Sequence, residues 1–387
     1  MKRFNLDAVT HSILICIFLL FLFAPPIKTL FSPKKSWSVA EKRKLASMPD
    51  VGLFFKEPKE FLIQFEAYFN DHFGFREELI KRYSKQMKKL FGKSGISKVL
   101  RGKNDWYYYS EADIIQDFQG LDLFNEEELF QWKESLEKKR EWLAKKGISY
   151  LYVVPPNKPT IYPEYLPDHL RNARGKARID QLLEYLSKNS NEKPLDLRKA
   201  LLKAKEGGQI YFRTDSHWNS KGAIIGYQEI MEQLRDLFPS LKSLNKYQLV
   251  EKSVLREDGD LSLMANLSAP DIEEELHISV KDPCAREETP YFTVIKEGTK
   301  MAANSMIYTK CQSSKLKAVI FRDSFFKHLL PFVAENFGEA IYILGYYDHH
   351  IMEQVLSEFK PDIVIEEVVE RNLKNRSIKK VLSQLSI

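Results

Sequence analysis

Two stretches of the sequence decide the expected fold: YFRTDSHWNSKG, from Tyr211 to Gly222, and VIFRDSFF, from Val319 to Phe326. The second begins as an apolar run and stops abruptly at Arg322, which is typical of a buried strand that feeds a tight turn into a helix. Such a turn exposes its serine, here Ser324, at the carboxyl edge of a parallel sheet. The sequence therefore predicts an α/β domain with a serine at the edge where ligands bind.

The first stretch supplies a carboxylate and an imidazole two residues apart. In an extended segment Asp215 and His217 leave the same side of the backbone and can hydrogen-bond. A serine hydroxyl needs a base to take its proton, and the base needs a third group to orient it. We expect Asp215, His217 and Ser324 to be orienting acid, base and nucleophile. The alternative is that Asp-x-His is a surface feature and that Asp-Ser after a strand caps a helix.

Further motifs occur in a fixed order: YFNDHFGFREELI (Tyr68 to Ile80), VLRGKNDWYYY (Val99 to Tyr109), VVPPNKPTIYPEYLP (Val153 to Pro167), DSHW with NSKGA, and FRDSFF. In this combination the chain resembles, from about Ser38 onward, the alginate O-acetyltransferase type of SGNH-like proteins, the AlgX/AlgJ-like and DHHW groups. The resemblance implies an SGNH-like three-layer α/β/α domain with a central, mainly parallel sheet. It also implies that Asp and His precede Ser, a permuted order relative to ordinary esterases.

Several other residues are candidate contacts for the substrate or the oxyanion. Asn157 and Lys158 follow an apolar strand, Ile148 to Val154, at the edge where ligands sit, although both could instead cap a loop. Trp218 could stack on a sugar ring, but an aromatic residue at this place is more often part of the core.

The resemblance adds three positions to these candidates. Ordinary SGNH proteins hold the oxyanion with a glycine and an asparagine at strand ends, and Gly345 lies where such a glycine is expected. Near the asparagine position Arg371 or Glu370 could substitute, with an ion pair closing the last helix as the alternative. Arg322 stands where the esterases have glycine.

The composition limits the classes of protein to which the chain can belong. The chain has 387 residues, of which 44% are hydrophobic, enough for a large core with a smaller appended region. The net charge of +6 is spread without a basic block, so we expect no nucleic-acid partner. Adjacent histidines, His349 and His350, point apart and lack further ligands at suitable spacing, so we expect no metal, and no cofactor is expected.

The N-terminus carries an apolar run, Ser12 to Ile27, that follows two basic residues. Leu22-Phe23-Ala24 makes a poor cleavage site, so we expect an uncleaved signal anchor with its short tail in the cytoplasm. A buried core helix is the less favoured alternative. Cys284 and Cys311 lie outside this run and could form a disulfide in an oxidising compartment.

The pattern along the chain predicts three parts: residues 1–31 as tail and anchor, 32–110 as a helical region with a hairpin, and 111–387 as the SGNH-like domain. Within the last part, residues 243–315 form a β-rich insertion. The aromatic residues of FLIQFEAYFNDHF (Phe61 to Phe73) recur at helical spacing, which predicts a packed helix face.

Together these observations predict an extracytoplasmic, membrane-anchored enzyme of acyl chemistry. The resemblance specifies an O-acetyltransferase acting on an exported or cell-surface polysaccharide, with a membrane-bound O-acyltransferase as the acetyl donor. Two alternatives stay open. A polysaccharide O-acetyl esterase would use the same three residues with water as acceptor. A non-catalytic carbohydrate-binding or assembly protein would not need Ser324.

Overall fold

The computed structural model describes residues 6–32, 35–38, 43–76, 78–79, 82–83, 86, 98–257, 259–265, 272–296, 299–300, 305–312, 314–374 and 378–385. The chain forms two compact units. One consists of Met1–Ser97 and Ser262–Pro270, and the other of Lys98–Leu261 and Asp271–Ile387.

The smaller unit consists of helices and one short ribbon: α1 (Leu6–Phe31), β1 (Trp37–Ser38), β2 (Arg43–Lys44), α2 (Val51–Lys56) and α3 (Pro58–His72). Within α1, Thr10–Phe31 has a mean hydropathy of 2.3 and none of it is buried. In the part of the chain that the structure describes, this is one helix with the length and composition to cross a membrane. It fits a signal anchor or a signal peptide.

The larger unit begins with a hairpin and continues as alternating helices and strands. Its first half contains β3 (Val99–Arg101), β4 (Tyr107–Tyr109), α4 (Ala112–Phe118), α5 (Glu126–Ala144), β5 (Ser149–Val154), α6 (Lys158–Ile161), α7 (Asp168–Arg171), α8 (Arg178–Asn189), β6 (Leu195–Asp196), α9 (Arg198–Ala204) and α10 (Ser220–Leu237).

The second half starts with β-rich chain and returns to the α/β alternation. It contains β7 (Leu249–Arg256), α11 (Asp260–Met264), β8 (Glu273–Val280), β9 (Arg286–Glu288), β10 (Ile295–Lys296), β11 (Thr299–Lys300), β12 (Met306–Lys310), β13 (Lys317–Arg322), α12 (Phe326–Val333), β14 (Glu339–Leu344), α13 (His349–Glu358), β15 (Ile363–Glu367) and α14 (Ile378–Leu385). Helix α11 crosses the boundary between the two units.

Seven strands form the central sheet in the order β6-β5-β15-β13-β14-β12-β9. The five from β6 to β14 are parallel, and β12 and β9 are antiparallel at one edge. Strand β13 lies between β14 and β15, so the residues that follow it emerge at the middle of the carboxyl edge.

The sheet is apolar on both faces because alternate residues of β13 enter two different cores. Ala318 and Ile320 pack with residues of α9, α10 and α12, while Val319 and Phe321 pack with residues of α5, α8, α13 and α14. Burial of Val319, Ile320 and Phe321 contributes about 1.5–3 kcal/mol for each side chain. Helices on both faces make the three-layer α/β/α architecture that was predicted.

Local sequence signals account for the helices that border the site. Asn125 and Glu128 form a capping box at the start of α5. Helix α10 is capped by Asn219, whose side chain accepts from the Gly222 amide. Its predicted apolar face is buried, from Ala223 to Leu234.

The structure differs from the sequence pattern at one helix. The pattern from Leu195 to Lys205 predicts a helix, but Leu195–Asp196 pairs with the end of β5 as an edge strand, and the helix begins at Arg198. The stretch 243–315, predicted as a β-rich insertion, takes part in the central sheet. It contains the antiparallel β7–β8 ribbon, and it also supplies β9 and β12 to the central sheet. The β3–β4 hairpin belongs to the larger unit.

Cys284 and Cys311 form a disulfide with their Cα atoms 5.2 Å apart, which confirms the predicted bond. It closes a loop with a sequence separation of 27 residues, for which chain entropy predicts about 3.5 kcal/mol of stabilisation. We expect Cys284→Ser to lower the free energy of unfolding by an amount of this order. Denaturant unfolding without reductant measures it, with Cys16→Ser as the control. Equal stability of the two variants would contradict the prediction.

Candidate active site

Ser324 lies in the turn between β13 and α12 and its side chain is exposed. The side chain of the preceding residue, Asp323, holds this turn in place. Its Oδ1 accepts from the Phe325 amide at 2.9 Å, and its Oδ2 accepts from the Val369 amide at 2.8 Å and from Asn372 Nδ2 at 3.2 Å. The carboxylate of Asp323 thus joins the serine turn to the loop after β15, and it points away from the imidazole that faces Ser324.

The imidazole of His217 lies between the serine and a carboxylate. His217 Nε2 is 2.8 Å from Ser324 Oγ, and His217 Nδ1 is 2.6 Å from Asp215 Oδ1. Because the carboxylate accepts the Nδ1 proton, the lone pair of Nε2 faces the serine hydroxyl. The three predicted residues therefore form one continuous hydrogen-bonded chain.

The segment that carries Asp215 and His217 is a tight loop, so the strand predicted for it is wrong. An isolated bridge between Tyr211 and Trp218 closes the loop, and the Phe212 amide donates to the His217 carbonyl oxygen at 3.2 Å. Asp215 Oδ1 also accepts from the His217 amide at 2.9 Å, the pattern of an Asx turn. The two side chains meet because of this turn and not because of strand alternation.

A second carboxylate, Asp260, supports the loop and was missed from sequence. Its amide donates to Asp215 Oδ2 at 3.0 Å, and its own Oδ1 and Oδ2 accept from the amide and hydroxyl of Ser216 at 2.7 and 2.8 Å. Asp260 Oδ2 also lies 3.6 Å from His217 Nδ1. Burial raises the pKa of Asp215, but the attraction of His217 and these hydrogen bonds hold it well below its ordinary value.

One sequence signal for this contact is the glycine before Asp260. A Cβ on Gly259 would lie 2.3 Å from Thr214 Oγ1 and 2.6 Å from the Thr214 carbonyl oxygen, so only glycine permits this approach. The Leu261 amide then donates to that carbonyl oxygen at 3.1 Å. A glycine alone does not identify its neighbour, so the contact could not be read from the sequence.

Lys158 supports the same loop from the interior and is not a contact for acetyl or oxyanion. It is buried, and its Nζ donates to the carbonyl oxygens of Tyr107, Arg213 and Asp215 at 2.5, 2.8 and 3.0 Å. Burial lowers the pKa of Lys158 to about 7. All three donors of the ammonium group are used, so it has none to offer to a substrate.

Asn157 is likewise directed into the protein. The backbone N–H of Asn157 donates to Glu370 Oε2 at 2.7 Å, and the Thr160 hydroxyl donates to the same oxygen at 2.7 Å. Asn157 and Glu370 line a cavity of about 10 Å³ together with Arg198, space for about one water molecule. In the described chain Asn157 makes no bond to Ser324 or His217, so its predicted role at the reaction centre is not supported.

The burial of Glu370 gives a pH-dependent stability. Burial raises the pKa of its carboxyl to about 7 from an ordinary value of 4.5. Between these values the unfolded chain has released the proton and the folded protein keeps it, so stability falls as pH rises from about 4.5 to 7. The loss is at most about 3 kcal/mol. We expect Glu370→Gln to flatten this dependence in denaturant unfolding at several pH values. The exposed Glu358→Gln is the control, and equal slopes in the two variants would contradict the prediction.

Trp218 is fully enclosed, and its Nε1 donates to the Phe325 carbonyl oxygen at 3.0 Å. This placement excludes the sugar-stacking role and makes Trp218 a support for the residue after Ser324. Arg322 is also buried, with Nη1 3.4 Å from the Asp323 carbonyl oxygen. The Gly345 amide donates to the Arg322 carbonyl oxygen at 2.9 Å, so it joins the ends of β13 and β14 and is not free for an oxyanion.

Arg371 is the remaining candidate, and it lies at the rim of the triad. Its guanidinium carbon is 5.0 Å from the centre of the Phe325 ring, and that ring is 4.8 Å from the His217 ring. The side chain is half-buried. A planar cation in this position suits the polar oxygens of a substrate.

A second histidine near the base was not identified from sequence. His328 follows Ser324 by one helical turn on α12, and its ring centre is 6.0 Å from that of His217. Burial, reinforced by His217, lowers the pKa of His328 to about 4. It is therefore neutral near pH 7 and adds no charge that would compete with the proton on His217. The sequence feature that indicates this placement is the four-residue spacing between Ser324 and His328 in SFFKH, because residues at this spacing lie on one side of a helix.

The arrangement suits nucleophilic attack on an acyl group. The serine is exposed, the base contacts its hydroxyl, and the acid fixes the base. Within the described residues no acceptor takes the Ser324 amide proton, which leaves this N–H as a candidate oxyanion donor. A three-layer α/β/α domain with this serine at the carboxyl edge of its sheet is typical of the SGNH-like class of proteins.

Comparison with known proteins specifies the family. Residues 99–304 match the family described as SGNH hydrolase-like domain, acetyltransferase AlgX. This match covers more than half of the chain, and the chain belongs to that family.

Curated relatives match part of the chain, and a solved structure shares its fold. The chain is 26% identical over 177 residues to a probable alginate O-acetylase AlgJ of Pseudomonas syringae pv. tomato, covering 43% of this chain and 40% of the relative. It is 26% identical over 206 residues to a probable alginate O-acetylase AlgJ of Pseudomonas fluorescens, covering 52% and 50%. The match thus spans half or less of these relatives. The structure of Bacillus cereus PatB1 shares the fold, with a TM-score of 0.52, 17% identity, and 71% of this chain and 96% of that chain covered.

Proposed function

We propose that this protein is an extracytoplasmic O-acetyltransferase that passes acetyl groups to an exported or cell-surface polysaccharide through an acetyl-Ser324 intermediate. The observation that carries the proposal is the hydrogen-bonded chain from Asp215 through His217 to the exposed Ser324. The description of the matched family names an acetyltransferase, and the names of the matched relatives specify acetylation of a polysaccharide.

In the first half-reaction Ser324 Oγ attacks the carbonyl carbon of the acetyl donor, and its proton passes to His217 Nε2. The oxygen that becomes negative is stabilised by donors that include the Ser324 amide. His217 then returns the proton to the leaving group of the donor as the bond to the acetyl carbon breaks. Asp215 stabilises the imidazolium during this step.

In the second half-reaction a sugar hydroxyl takes the place of the leaving group. His217 Nε2 accepts the hydroxyl proton while the sugar oxygen attacks the acetyl carbon. The bond to Ser324 Oγ breaks, and His217 protonates that oxygen. The acetyl group is now an ester on the sugar, and the enzyme is restored.

The N-terminal helix and the disulfide support an extracytoplasmic location. We propose that α1 is retained as an anchor and that the larger unit lies outside the cytoplasm, where the Cys284–Cys311 disulfide is stable. A membrane-bound O-acyltransferase is the proposed partner that brings the acetyl group across the membrane. The acceptor is the polysaccharide.

The test compares two acceptors in one reaction. Purified protein is given an activated acetyl ester with and without an oligosaccharide, and acetyl-sugar and free acetate are measured separately. Acetyl-sugar as the main product supports transfer. Acetate at an equal rate with and without sugar would identify an esterase. Neither product above the level of Ser324→Ala would identify a binding or assembly protein.

A further inference from the structure

Helices α2 and α3 expose a continuous apolar surface, contrary to the packed face predicted for α3. Neither helix has a buried residue. Phe55 is 80% exposed, Leu62 58% and Phe69 42%. On α3, Phe61, Phe65 and Phe69 recur at four-residue steps and therefore share one side of the helix. The rings of Phe54 and Phe61, 5.3 Å apart, join the two helices.

The end of α3 is fixed directly to α1 within the same unit. The Gly74 amide donates to Thr29 Oγ1 at 2.9 Å, and that hydroxyl lies 3.1 Å from the His72 carbonyl oxygen. A Cβ on Gly74 would come within 2.3 Å of the Pro25 carbonyl oxygen, so the backbones touch here. Nearby, Lys28 Nζ is 2.5 Å from Glu78 Oε1.

These contacts set the depth of α3 once α1 crosses a membrane. The 22 residues of Thr10–Phe31 form about 33 Å of helix, close to the ~30 Å hydrocarbon thickness of a bilayer. Thr29 lies two residues, about 3 Å, from the end of this span. Pro25 lies six residues, about 9 Å, from the same end. The carboxyl end of α3 contacts both residues, so it is held in the outermost part of the hydrocarbon beside the headgroups, the depth at which interfacial helices lie.

We propose that the apolar surface of α2 and α3, defined by Phe54, Phe55, Phe61, Phe65 and Phe69, lies in the headgroup region of the bilayer as an interfacial membrane contact. The occupant is lipid because the surface continues from the end of a helix of membrane-spanning length. Charged and polar residues, among them Lys59, Glu66 and Asn70, lie on other sides of α3, as in helices that lie in the membrane plane. The proposal rests on the anchor assigned under the proposed function.

The test uses adjacent pairs of positions on α3. Phe65 and Glu66, like Phe69 and Asn70, are consecutive and differ by about 100° around the helix. Full-length protein carrying Cys16→Ser is placed in nanodiscs of phosphatidylcholine and phosphatidylglycerol. Spin labels are attached at Phe65→Cys, Glu66→Cys, Phe69→Cys and Asn70→Cys, and collision with oxygen and with a water-soluble nickel chelate is measured.

We expect labels at 65 and 69 to show a severalfold higher ratio of oxygen to nickel collisions than labels at 66 and 70. Water-like ratios at all four positions would overturn the interfacial contact. Low collision with both reagents at 65 and 69 would also overturn it, because protein would then cover the surface. Elution of the protein apart from the nanodiscs would refute the anchor and this proposal together. Acetyl transfer, measured on the same samples, reports the proposed function independently.

Discussion

Replacement of Ser324 or His217 by alanine is expected to lower acetyl transfer by about a thousandfold or more, while the protein stays folded. The reason is the 2.8 Å contact between Ser324 Oγ and His217 Nε2: without the base the hydroxyl stays protonated, and without the hydroxyl there is no acceptor for the acetyl group. The double variant should be no worse than either single variant, because the two residues act as a unit.

The measurement is the initial rate of acetyl-sugar formation, with circular dichroism as a check of folding. Matched controls are Ser187→Ala and His169→Ala, which change the same residue types at exposed positions. A Ser324→Ala variant that retained the full rate, or full acetylation of the polysaccharide in cells, would contradict the catalytic assignment.

Replacement of Asp215 by asparagine is the second large effect, and we expect a loss on the order of a thousandfold or more. Asp215 Oδ1 accepts the Nδ1 proton of His217 and so selects the tautomer whose lone pair faces Ser324. An asparagine amide offers a donor in that place and favours the wrong tautomer. The rate of acetyl transfer by the folded variant measures the effect.

Asp260 could share the role of Asp215, because Asp260 Oδ2 lies 3.6 Å from His217 Nδ1. We expect Asp260→Asn to lower the rate by about tenfold in the wild type, in line with the lower cost of removing a supporting group. In the Asp215→Asn background the factor should be larger, since Asp260 is then the remaining carboxylate near Nδ1. An equal factor in both backgrounds would show that Asp260 only holds the loop.

Asp323, the residue before Ser324, provides a comparison for Asp215. Its carboxylate accepts from the amides of Phe325 and Val369. Asp323→Asn should therefore act through the stability of the serine turn and not through proton transfer. A loss as large as that of Asp215→Asn in a folded variant would contradict the assignment of the orienting acid.

The elements nearest the serine were predictable because their signals are local. The apolar run of β13 ends at a polar Arg-Asp-Ser turn, and the face of α10 repeats with helical spacing. Both patterns depend on burial on a sheet or a helix and need no distant contact. The three-layer fold and the meeting of Ser324 with His217 were predictable only because the whole set of motifs resembles a family.

The parts that failed depend on contacts between distant residues. The sequence predicts Asp215 and His217 on a strand, but an Asx turn and the backbone amide of Asp260, 45 residues after Asp215, shape the loop. Lys158 is at the strand end that was predicted, yet three carbonyl oxygens from two other segments take its donors. Tertiary hydrogen bonding of this kind leaves no periodic signal in the sequence.

In the smaller unit the local pattern was predicted correctly, but its surroundings were not. Helical spacing of aromatic residues predicts an apolar face correctly, but it does not specify what covers that face. On α3 the face is exposed, and contacts of Thr29 and Gly74 place it beside the end of α1. The same spacing occurs in helices that pack in a protein core and in helices that lie in a membrane interface, so the spacing alone does not distinguish the two.

The most direct measurement is the covalent state of Ser324 during turnover. Protein is incubated briefly with an activated acetyl ester, separated from the ester, and analysed by intact mass and peptide mapping before and after addition of oligosaccharide. We predict one acetyl group on the peptide that contains Ser324, absent in Ser324→Ala, and its transfer to the sugar faster than to water. An unmodified Ser324 peptide in protein that still acetylates sugar would contradict the account.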